Sequence, residues 1–468
     1  MDLSFETEEE INRKTDKNNN FSSKISNRYK SYTLSNIDRI KELETLDENT
    51  IRDMKIVAHV LPFKTNNYVL QNLINWNDIP NDPIFQLTLP QKDMLLPHHF
   101  KRMKEAIVTG DKNIIKKVSQ SIRLELNPYP AGQKTCNIPK YNGKKLNGVQ
   151  HKYQETVLLF PSNGQSCHAY CTFCFRWSQF VTIDANRKFG MKPMDDFVNY
   201  IHEHPTITDI LITGGDPMIM HASVLEKYLR PIIEANIPHL RTIRIGSKSL
   251  SYWPHRFIND KDTSTLLSLF QEIKENGLNV AFMAHFNHFR ELQSPYLELA
   301  VKNLQEVGVM IRTQSPLLNH INALADVWAE MWRKQVALGM IPYYMFVVRD
   351  TGAQYYFSVP LVKAWLIFKK AYSKVSGICR TVRGPSMSCT PGKISVQGIA
   401  KINEQKVIVL SFIQGRNPDW VKKPFFAKYN PNATWIDALE PAFSEEFFYE
   451  KDLPKYLGPY NEIKHCND

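Results

Sequence analysis

The chain has 468 residues, of which 43% are hydrophobic and 11% aromatic, enough for a large core. Its formal charge of +11 indicates affinity for anions, but the lysines and arginines are spread along the chain rather than gathered in one stripe, so we expect no nucleic-acid partner. No apolar run approaches the roughly 20 residues of a membrane helix, and the polar first residues lack the apolar stretch of a signal peptide, so we expect a cytoplasmic protein with no membrane partner.

The first 150 residues divide into two parts. Residues 1–50 are polar and charged, and we expect a flexible tail that grades into a helix near Asp38–Glu48. Residues 51–150 carry helical patterns and then a connector rich in Pro, Gly and Asn that begins at Asn127. This pattern predicts an N-terminal helical region ahead of the main domain.

Cys167, Cys171 and Cys174 lie within eight residues, with spacings of three and two. Three thiolates on one tight loop can hold three irons of a 4Fe-4S cluster and leave the fourth iron open. A structural zinc site usually takes four N or S ligands in two separated pairs, whereas this loop offers three thiols and at best His168. A disulfide framework is disfavoured because the seven cysteines are few and odd in number. The pattern favours a cluster, with a zinc-binding module and unliganded cysteines as alternatives. The other four cysteines are scattered and are expected to be buried thiols: Cys136, Cys379, Cys389 and Cys466.

Short apolar runs alternate with amphipathic stretches between about residues 151 and 360. This is the pattern of βαβ units with a parallel sheet. Periodicity alone permits either an open (β/α)6 barrel or a doubly wound sheet. The six expected strands are Glu155–Phe160, Thr208–Thr213, Arg241–Gly246, Leu278–Ala284, Val307–Thr313 and Met340–Val348.

Residues 361–468 predict a C-terminal α+β extension that covers the main domain. Ile394–Ile402 and Lys406–Ile413 predict a β-hairpin around Asn403-Glu404-Gln405. A tail rich in Pro and aromatic residues follows the hairpin. We expect this tail to pack over the open side of the sheet.

The cysteine spacing, with Phe173 just before the third cysteine, resembles the cluster loop of the radical S-adenosylmethionine (SAM) superfamily. In that superfamily the open iron binds the amino and carboxylate groups of SAM, and an electron from the cluster cleaves SAM to a 5′-deoxyadenosyl radical. The resemblance favours the partial (β/α)6 barrel over the doubly wound sheet. It implies a 4Fe-4S cluster and SAM as cofactors, an electron donor such as a flavodoxin or ferredoxin, and a reducing compartment.

The second expected strand ends in Thr213-Gly214-Gly215-Asp216. Glycines after a strand let the backbone approach a ligand closely, and a carboxylate can accept a charge-assisted hydrogen bond from an ammonium group. Alone, such a pair of glycines usually marks only a turn. About 40 residues after the cysteines, it resembles the superfamily motif that holds the amino group of SAM.

Four further segments resemble the strand-end motifs of one family, the lysine 2,3-aminomutases, in the family's order over about residues 80–400. The resemblance places Ser247 and Gln314 around SAM. It implies an isomerase that moves an amino group with the help of pyridoxal phosphate (PLP). His285 and His288 are expected to be structural. The four segments are Arg244–Lys248, His285–His288, Gln314–Leu318 and Pro342–Tyr344.

The sequence departs from the family where PLP should bind. In ungapped register from Gly384-Pro385, Thr390 stands where the family has its Schiff-base lysine, and Lys393 lies three residues later. Where the family has arginines that hold the PLP phosphate, Lys152 is the basic residue that remains. Amino migration with PLP, a PLP-independent epimerisation or dehydrogenation, and a non-catalytic regulatory protein with a cluster all remain open.

The substrate positions depart as well. Arg176 matches the family arginine that binds the substrate α-carboxylate, a task suited to the planar guanidinium. Arg349 and Arg383 stand where the family has the carboxylates that hold the distal ammonium group of lysine. Two cations in place of two anions predict an acidic amino-acid-like substrate, and the alternative is that both arginines form internal salt bridges. A homo-oligomer is compatible with the sequence.

Overall fold

The computed structural model describes residues 28–127, 137–181, 189–192 and 195–457. Cys136, Cys466 and most of the Pro- and Gly-rich connector lie outside these ranges. Within the described residues, no helix combines the length and the apolar character that crossing a bilayer requires.

The fold is a mixed α/β structure around one sheet of eleven strands. Two short antiparallel pairs, β1–β2 and β3–β4, lie apart from it. The strands are β1 (Ser31–Thr33), β2 (Lys64–Asn66), β3 (Lys140–Tyr141), β4 (Lys144–Lys145), β5 (Val149–Tyr153), β6 (Thr156–Leu159), β7 (Asp209–Ile212), β8 (Thr242–Ser247), β9 (Asn279–His285), β10 (Met310–Leu317), β11 (Ile341–Val347), β12 (Arg383–Cys389), β13 (Gly392–Ile402), β14 (Gln405–Gly415) and β15 (Pro424–Lys428).

Helices connect the parallel strands and form most of the N-terminal region. Their bounds are α1 (Glu48–Ala58), α2 (Pro83–Thr88), α3 (Pro97–Val108), α4 (Lys112–Leu126), α5 (Trp177–Val181), α6 (Asp195–His202), α7 (Ala222–Glu234), α8 (Ser249–Tyr252), α9 (Thr263–Glu275), α10 (Pro295–Glu306), α11 (Ala325–Ala337), α12 (Gln354–Phe357), α13 (Leu361–Ser373) and α14 (Pro454–Leu457).

Seven neighbouring strands of the large sheet, β6 to β12, are parallel and follow one another in chain order. All six expected strands are present as β6 to β11, each within a few residues of its expected bounds. A doubly wound sheet would reverse its strand order at a switch point. The sequential order contains no such reversal, so the doubly wound alternative is wrong.

The two faces of the parallel strands differ in polarity because side chains alternate across a strand. On β8, Ile243 and Ile245 are fully buried in the core shared with the surrounding helices. Arg244, between them, points to the other face and forms an ion pair with Asp209 of β7, with Nη2 and Oδ2 2.6 Å apart. His285 and Gln314 lie on this second face as well, since they pair across β9 and β10.

The two ends of the parallel run approach each other. Lys152 of β5 donates a hydrogen bond to the carbonyl of Cys389 in β12, at 2.6 Å. Lys393 Nζ of β13 lies 5.8 Å from the ring centre of Tyr153. The sheet therefore curves around its polar face, and we call the enclosed space the polar chamber, defined by Asp209, Arg244, Gln314, Tyr344 and Lys393.

The described part of the N-terminal region is more ordered than the flexible tail that we expected. The helix expected near Asp38–Glu48 is replaced by short 3-10 turns, Leu34–Arg39 and Lys41–Thr45, ahead of α1. Residues 31–33 form a strand paired with β2, and Ile37, Ile40 and Leu43 are buried. They share a core with Phe173 and Trp177 of the cysteine segment. The polar composition predicted a flexible tail, but the few apolar residues of this segment are buried by contacts with residues distant in sequence.

The expected hairpin of the C-terminal extension is present as β13 and β14. Its turn consists of Asn403 and Glu404, both with positive φ (45° and 64°), as the tight turns of hairpins require. Gln405 belongs to the second strand rather than to the turn. The hairpin packs with Leu361 in a third hydrophobic core, at one end of the large sheet.

Candidate functional site

The three cysteines lie on the loop that follows β6, and the N-terminal region holds this loop in place. The Tyr170 and Thr172 N–H groups donate to the carbonyls of Lys64 and Leu87, at 2.8 and 3.0 Å. Lys64 Nζ donates to the Cys167 carbonyl at 2.7 Å. The Tyr29 hydroxyl donates to the carbonyl of His168 at 2.7 Å. The loop conformation therefore depends on residues more than 80 positions earlier in the chain.

The spacing of the three sulfur atoms bears on which metal centre they could hold. Among the described residues, these sulfurs do not form a group in which all ligand atoms lie within 4.8 Å of one another. A single tetrahedral zinc with bonds of about 2.3 Å would bring its sulfurs to about 3.8 Å from one another. His168 is occupied elsewhere, with Nδ1 2.9 Å from Ser249 Oγ. The donor set and its wide spacing fit a 4Fe-4S cluster better than one zinc ion.

Burial dominates the acid–base behaviour of the loop. It raises the pKa of the Cys171 thiol to about 12 and that of Cys174 to about 11. The pKa of Cys167 is also raised by burial, with further contributions from Asp216 and the other two thiols. The thiols are thus protonated in the metal-free chain at neutral pH, and metal binding must release these protons.

Asp216, after β7, is a buried carboxylate that joins two strand ends. It accepts hydrogen bonds from the hydroxyls of Ser247 and Ser249, at 2.7 and 3.0 Å. The N–H groups of Met218 and Lys248 donate to it at 2.9 and 3.0 Å. Burial raises the pKa of Asp216, and these hydrogen bonds oppose the rise. Four donors fill the positions that a carboxylate offers, so Asp216 fixes the backbone around Ser247.

Gly214 and Gly215 pack against the segment that leads into Cys167. A Cβ on Gly214 would lie 2.7 Å from Gln165 Nε2, and one on Gly215 would lie 2.5 Å from the Ser166 carbonyl oxygen. The Gly215 N–H donates to the Gly164 carbonyl at 3.0 Å. Thr213 lies against β8, with Oγ1 3.3 Å from where a Cβ on Gly246 would be. Close approach of backbones explains both glycines.

Gln314 and His285 meet on the polar face, with Gln314 Nε2 2.7 Å from His285 Nε2. Burial, aided by Lys248, lowers the pKa of His285 to about 3, so its ring stays neutral at physiological pH. His288 accepts a hydrogen bond from the Arg290 N–H at 3.3 Å and caps a helical turn. In the described part of the chain, neither histidine belongs to a group of three metal ligands.

Lys248 and Glu291 form a buried ion pair that sequence reasoning missed. Lys248 Nζ lies 2.5 Å from Glu291 Oε1 and 2.8 Å from Asn287 Oδ1. It also lies 4.4 Å from the ring centre of Tyr252, whose hydroxyl is 3.9 Å from Cys171 Sγ. The pair links two strand ends to the cysteine loop, and its only signal in the sequence was a charged residue inside the Arg244–Lys248 segment.

Arg176 is a buried guanidinium close to the cysteine loop. Its Nη2 donates to Gln179 Oε1 at 2.7 Å and to Gln165 Oε1 at 3.4 Å, and its Nε has no hydrogen-bond partner. No carboxylate forms an ion pair with Arg176 among the residues that the structure describes. Burial lowers the pKa of Arg176 to about 10, and the thiols of Cys174 and Cys167 oppose this. A buried cation is costly unless it is compensated, so Arg176 is a candidate for holding an anion.

The structure separates Arg349 from Arg383. Arg349 pairs with Asp437 (Nη2 to Oδ2, 2.7 Å) and with Asp350 (Nε to Oδ1, 3.4 Å). These ion pairs agree with the alternative for Arg349, an internal salt bridge. Arg383 instead lies over the rings of Tyr343 and Tyr344, with its guanidinium carbon 4.3 and 4.7 Å from the ring centres.

Lys393 also faces the polar chamber. Its Nζ lies 4.8 Å from the Tyr344 ring centre and 3.3 Å from Gln414 Oε1. Arg383 and Lys393 are thus brought together at Tyr344, on the same face of the sheet as Gln314.

Comparison with known proteins agrees with the motifs. No family model matches the sequence. A relative from Aquifex aeolicus that bears the provisional name L-lysine 2,3-aminomutase is 32% identical over 399 residues, which is 85% of this chain and 93% of the relative. The L-lysine 2,3-aminomutase of Clostridium subterminale is 28% identical over 232 residues, 50% of this chain and 52% of that protein. A solved structure of Streptococcus suis SuiB bound to S-adenosylmethionine is 11% identical and covers 57% of this chain and 56% of that chain, with a TM-score of 0.33, which is too low to support an argument.

The cysteine loop, the sequential parallel strands and these relatives define the chain as a radical SAM enzyme. The chain belongs to the L-lysine 2,3-aminomutase family. The resemblance drawn from the strand-end motifs is confirmed, and the family implies a 4Fe-4S cluster and SAM.

Proposed function

We propose that this enzyme generates a 5′-deoxyadenosyl radical, which abstracts a hydrogen atom from an acidic, amino-acid-like substrate. The curved sheet would be the partial (β/α)6 barrel of the family, open at the carboxyl ends of its strands. One observation carries the proposal: the cysteine loop after β6, Asp216 after β7, Ser247 on β8 and Gln314 on β10 all belong to one end of the sheet. Active sites of barrels built from parallel strands lie at this end.

Each protein group has a distinct proposed role. Cys167, Cys171 and Cys174 would hold the cluster, which when bound supplies the electron that cleaves SAM, with a flavodoxin or ferredoxin as the reductant. Asp216 fixes the turn at Ser247, and Gln314 presents its amide to the polar chamber. The proposed SAM-binding turn consists of Thr213, Gly214 and Gly215. Its two glycines let the backbone pack closely against the segment that leads into the cysteine loop. The partly buried thiols and the packed N-terminal region limit the access of water to this end of the sheet.

Arg176 is proposed to bind the α-carboxylate of the substrate, because among the described residues its buried guanidinium lies over the Phe160 ring and donates hydrogen bonds to amide oxygens, with no carboxylate partner. Replacing it with Lys keeps the charge but removes the planar pair of donors. We expect Arg176→Lys to lower substrate-stimulated 5′-deoxyadenosine formation about 10- to 150-fold, as one lost charged hydrogen bond implies. The assay uses cluster-reconstituted protein, SAM, a reductant and a panel of amino acids.

A matched control for this variant is Arg333→Lys. Arg333 is half exposed and pairs with Glu330 on the same helix, with Nη1 and Oε2 3.2 Å apart. This replacement should leave stimulation within about twofold, since exposed pairs contribute little. An equal loss in both variants, or full stimulation in Arg176→Lys, would remove Arg176 from the substrate site.

Migration of an amino group, as opposed to epimerisation or dehydrogenation, depends on PLP, and we propose Lys393 as its attachment point. Thr390 has no amine, whereas Lys393 Nζ faces the polar chamber. Borohydride reduction of protein reconstituted with PLP is therefore expected to fix the cofactor on Lys393, as read by mass spectrometry of the peptides. Labelling of another lysine would refute this assignment, and no PLP absorbance at all would favour the PLP-independent reactions.

A further inference from the structure

Two arginines on the polar face of the sheet are unusual in their surroundings. The guanidinium carbons of Arg312 and Arg383 lie 5.2 and 4.3 Å from the same Tyr343 ring centre. In the part of the chain that the structure describes, neither forms an ion pair with a carboxylate. Arg244 and Arg349, by contrast, form ion pairs with Asp209 and Asp437. Two like charges on one ring repel each other, and contact with the ring offsets only part of that cost.

The strand register sets this pair of arginines beside the proposed SAM residues. Arg312 lies on β10, two residues before Gln314. Gln314 is the cross-strand partner of Tyr344 on β11, and Tyr344 is in turn the partner of Arg383 on β12. Side chains two residues apart on a strand share a face. A ligand on this face would thus be held between β10 and β12, next to Gln314.

The two guanidinium groups are accessible as well as unpaired. Arg383 is exposed and Arg312 is partly buried, so a small molecule in the polar chamber can reach both. Lys393 Nζ also lies close to this group, at 4.8 Å from the Tyr344 ring centre. Asp209, a carboxylate on this face, forms an ion pair with Arg244 and also interacts electrostatically with Lys393. The excess of positive charge on this face calls for a group with more than one negative charge.

We propose that Arg312 and Arg383, which both lie near the Tyr343 ring, form the subsite for a phosphate group at the distal end of the substrate. This inference rests on the proposed function, and it names the substrate class as phosphorylated amino acids. Planar guanidinium groups bind phosphate through paired hydrogen bonds. A phosphate monoester carries a charge of about −1.5 to −2 at neutral pH, which matches two unpaired arginines better than one carboxylate does.

The test is equilibrium binding of O-phospho-L-serine, L-glutamate and L-glutamine to the full-length, cluster-reconstituted protein by calorimetry. Phosphoserine should bind most tightly and glutamine most weakly. Arg383→Gln and Arg312→Gln should each weaken phosphoserine binding about 10- to 150-fold, as expected for one lost charge-assisted contact. Arg383→Lys should recover part of the affinity, because it restores the charge without the planar donors.

Arg349→Gln is the matched control, because this arginine is held by Asp437 and Asp350, and it should bind phosphoserine as the unmodified protein does. Equal affinity for phosphoserine and glutamine, or an equal loss in Arg349→Gln, would overturn the proposal. Displacement of phosphoserine by PLP in an Arg383-dependent manner would also overturn it, since the phosphate would then belong to the cofactor. Arg383-dependent binding in a protein that never cleaves SAM would refute the proposed function and support the subsite.

Discussion

Replacing Cys171 with Ala is expected to abolish SAM cleavage, and Cys167→Ala and Cys174→Ala should do the same. Three thiolates are needed to hold three irons of the cluster. The described part of the loop offers no substitute ligand, because His168 faces Ser249 and stacks against Trp253. The measurement is chromatographic assay of 5′-deoxyadenosine after anaerobic reconstitution with iron and sulfide, with bound iron and acid-labile sulfide determined on the same samples.

Cys136→Ala and Cys466→Ala are the controls, since both cysteines are remote in sequence from the loop and should leave cleavage largely intact. Retained cleavage in Cys171→Ala would contradict the cluster assignment. Bound zinc without acid-labile sulfide would support the alternative of a zinc-binding module. A cluster that forms normally in the unmodified protein without any cleavage of SAM would support a regulatory role instead.

The parts of the fold that the sequence predicted are those in which the local signal is strong. Strands β6, β7, β9 and β11 contain apolar runs, whereas β8 and β10 alternate buried and less buried positions. Buried residues from all six strands belong to one core. The cysteine loop could also be predicted, because the spacing of its three cysteines is contained in eight residues. Local patterns of this kind do not require knowledge of the partner elements.

Strand β12 shows where local signals end. Its sequence, Arg383-Gly-Pro-Ser-Met-Ser-Cys389, contains no apolar run, and glycine and proline disfavour a strand. It is a strand because β11 and β13 pair with it on either side. Ser31–Thr33 is a similar case, since its strand exists only through pairing with Lys64–Asn66. Tertiary pairing overrode propensity at β12, whereas at Ser31–Thr33 it supplied a partner strand that local sequence could not indicate.

The sequence could nominate candidate substrate side chains but could not orient them. Arg349 and Arg383 both stand where the family has a carboxylate, so the sequence did not distinguish them. Asp437, the ion-pair partner that distinguishes Arg349 from Arg383, lies 88 residues further along the chain. The sequence did not single out Arg312 as a candidate ligand-binding residue. Its proposed role depends on a tertiary contact, because Arg312 and Arg383 lie near the same Tyr343 ring.

The Lys248–Glu291 pair was likewise invisible in the sequence, although it connects the parts of the site. Both side chains are buried, with 10% and 0% of their surface exposed. Glu291 also accepts hydrogen bonds from the Ser251 hydroxyl at 2.6 Å and from the N–H groups of Asn287 and His288. The carboxylate thus ties the end of β9 to the helical turn after β8, beside the cysteine loop.

Removing the lysine should therefore be costly for folding. We expect Lys248→Met to lower the free energy of unfolding by about 3–5 kcal/mol, because it leaves the Glu291 carboxylate buried without its cation. The methionine fills a similar volume, so little of the loss would come from a cavity. Urea denaturation of the full chain at neutral pH, followed by circular dichroism, measures the change.

Two further variants separate the charge effect from packing. Lys248→Met/Glu291→Gln removes the uncompensated charge and keeps an oxygen acceptor, so it should recover a large part of the lost free energy. Lys302→Met breaks an exposed pair with Glu306, whose side chains are 70% and 61% exposed, and should change stability by less than about 0.5 kcal/mol. If Lys248→Met cost no more stability than Lys302→Met, the Lys248–Glu291 pair would not be what holds the end of β9 against the cysteine loop.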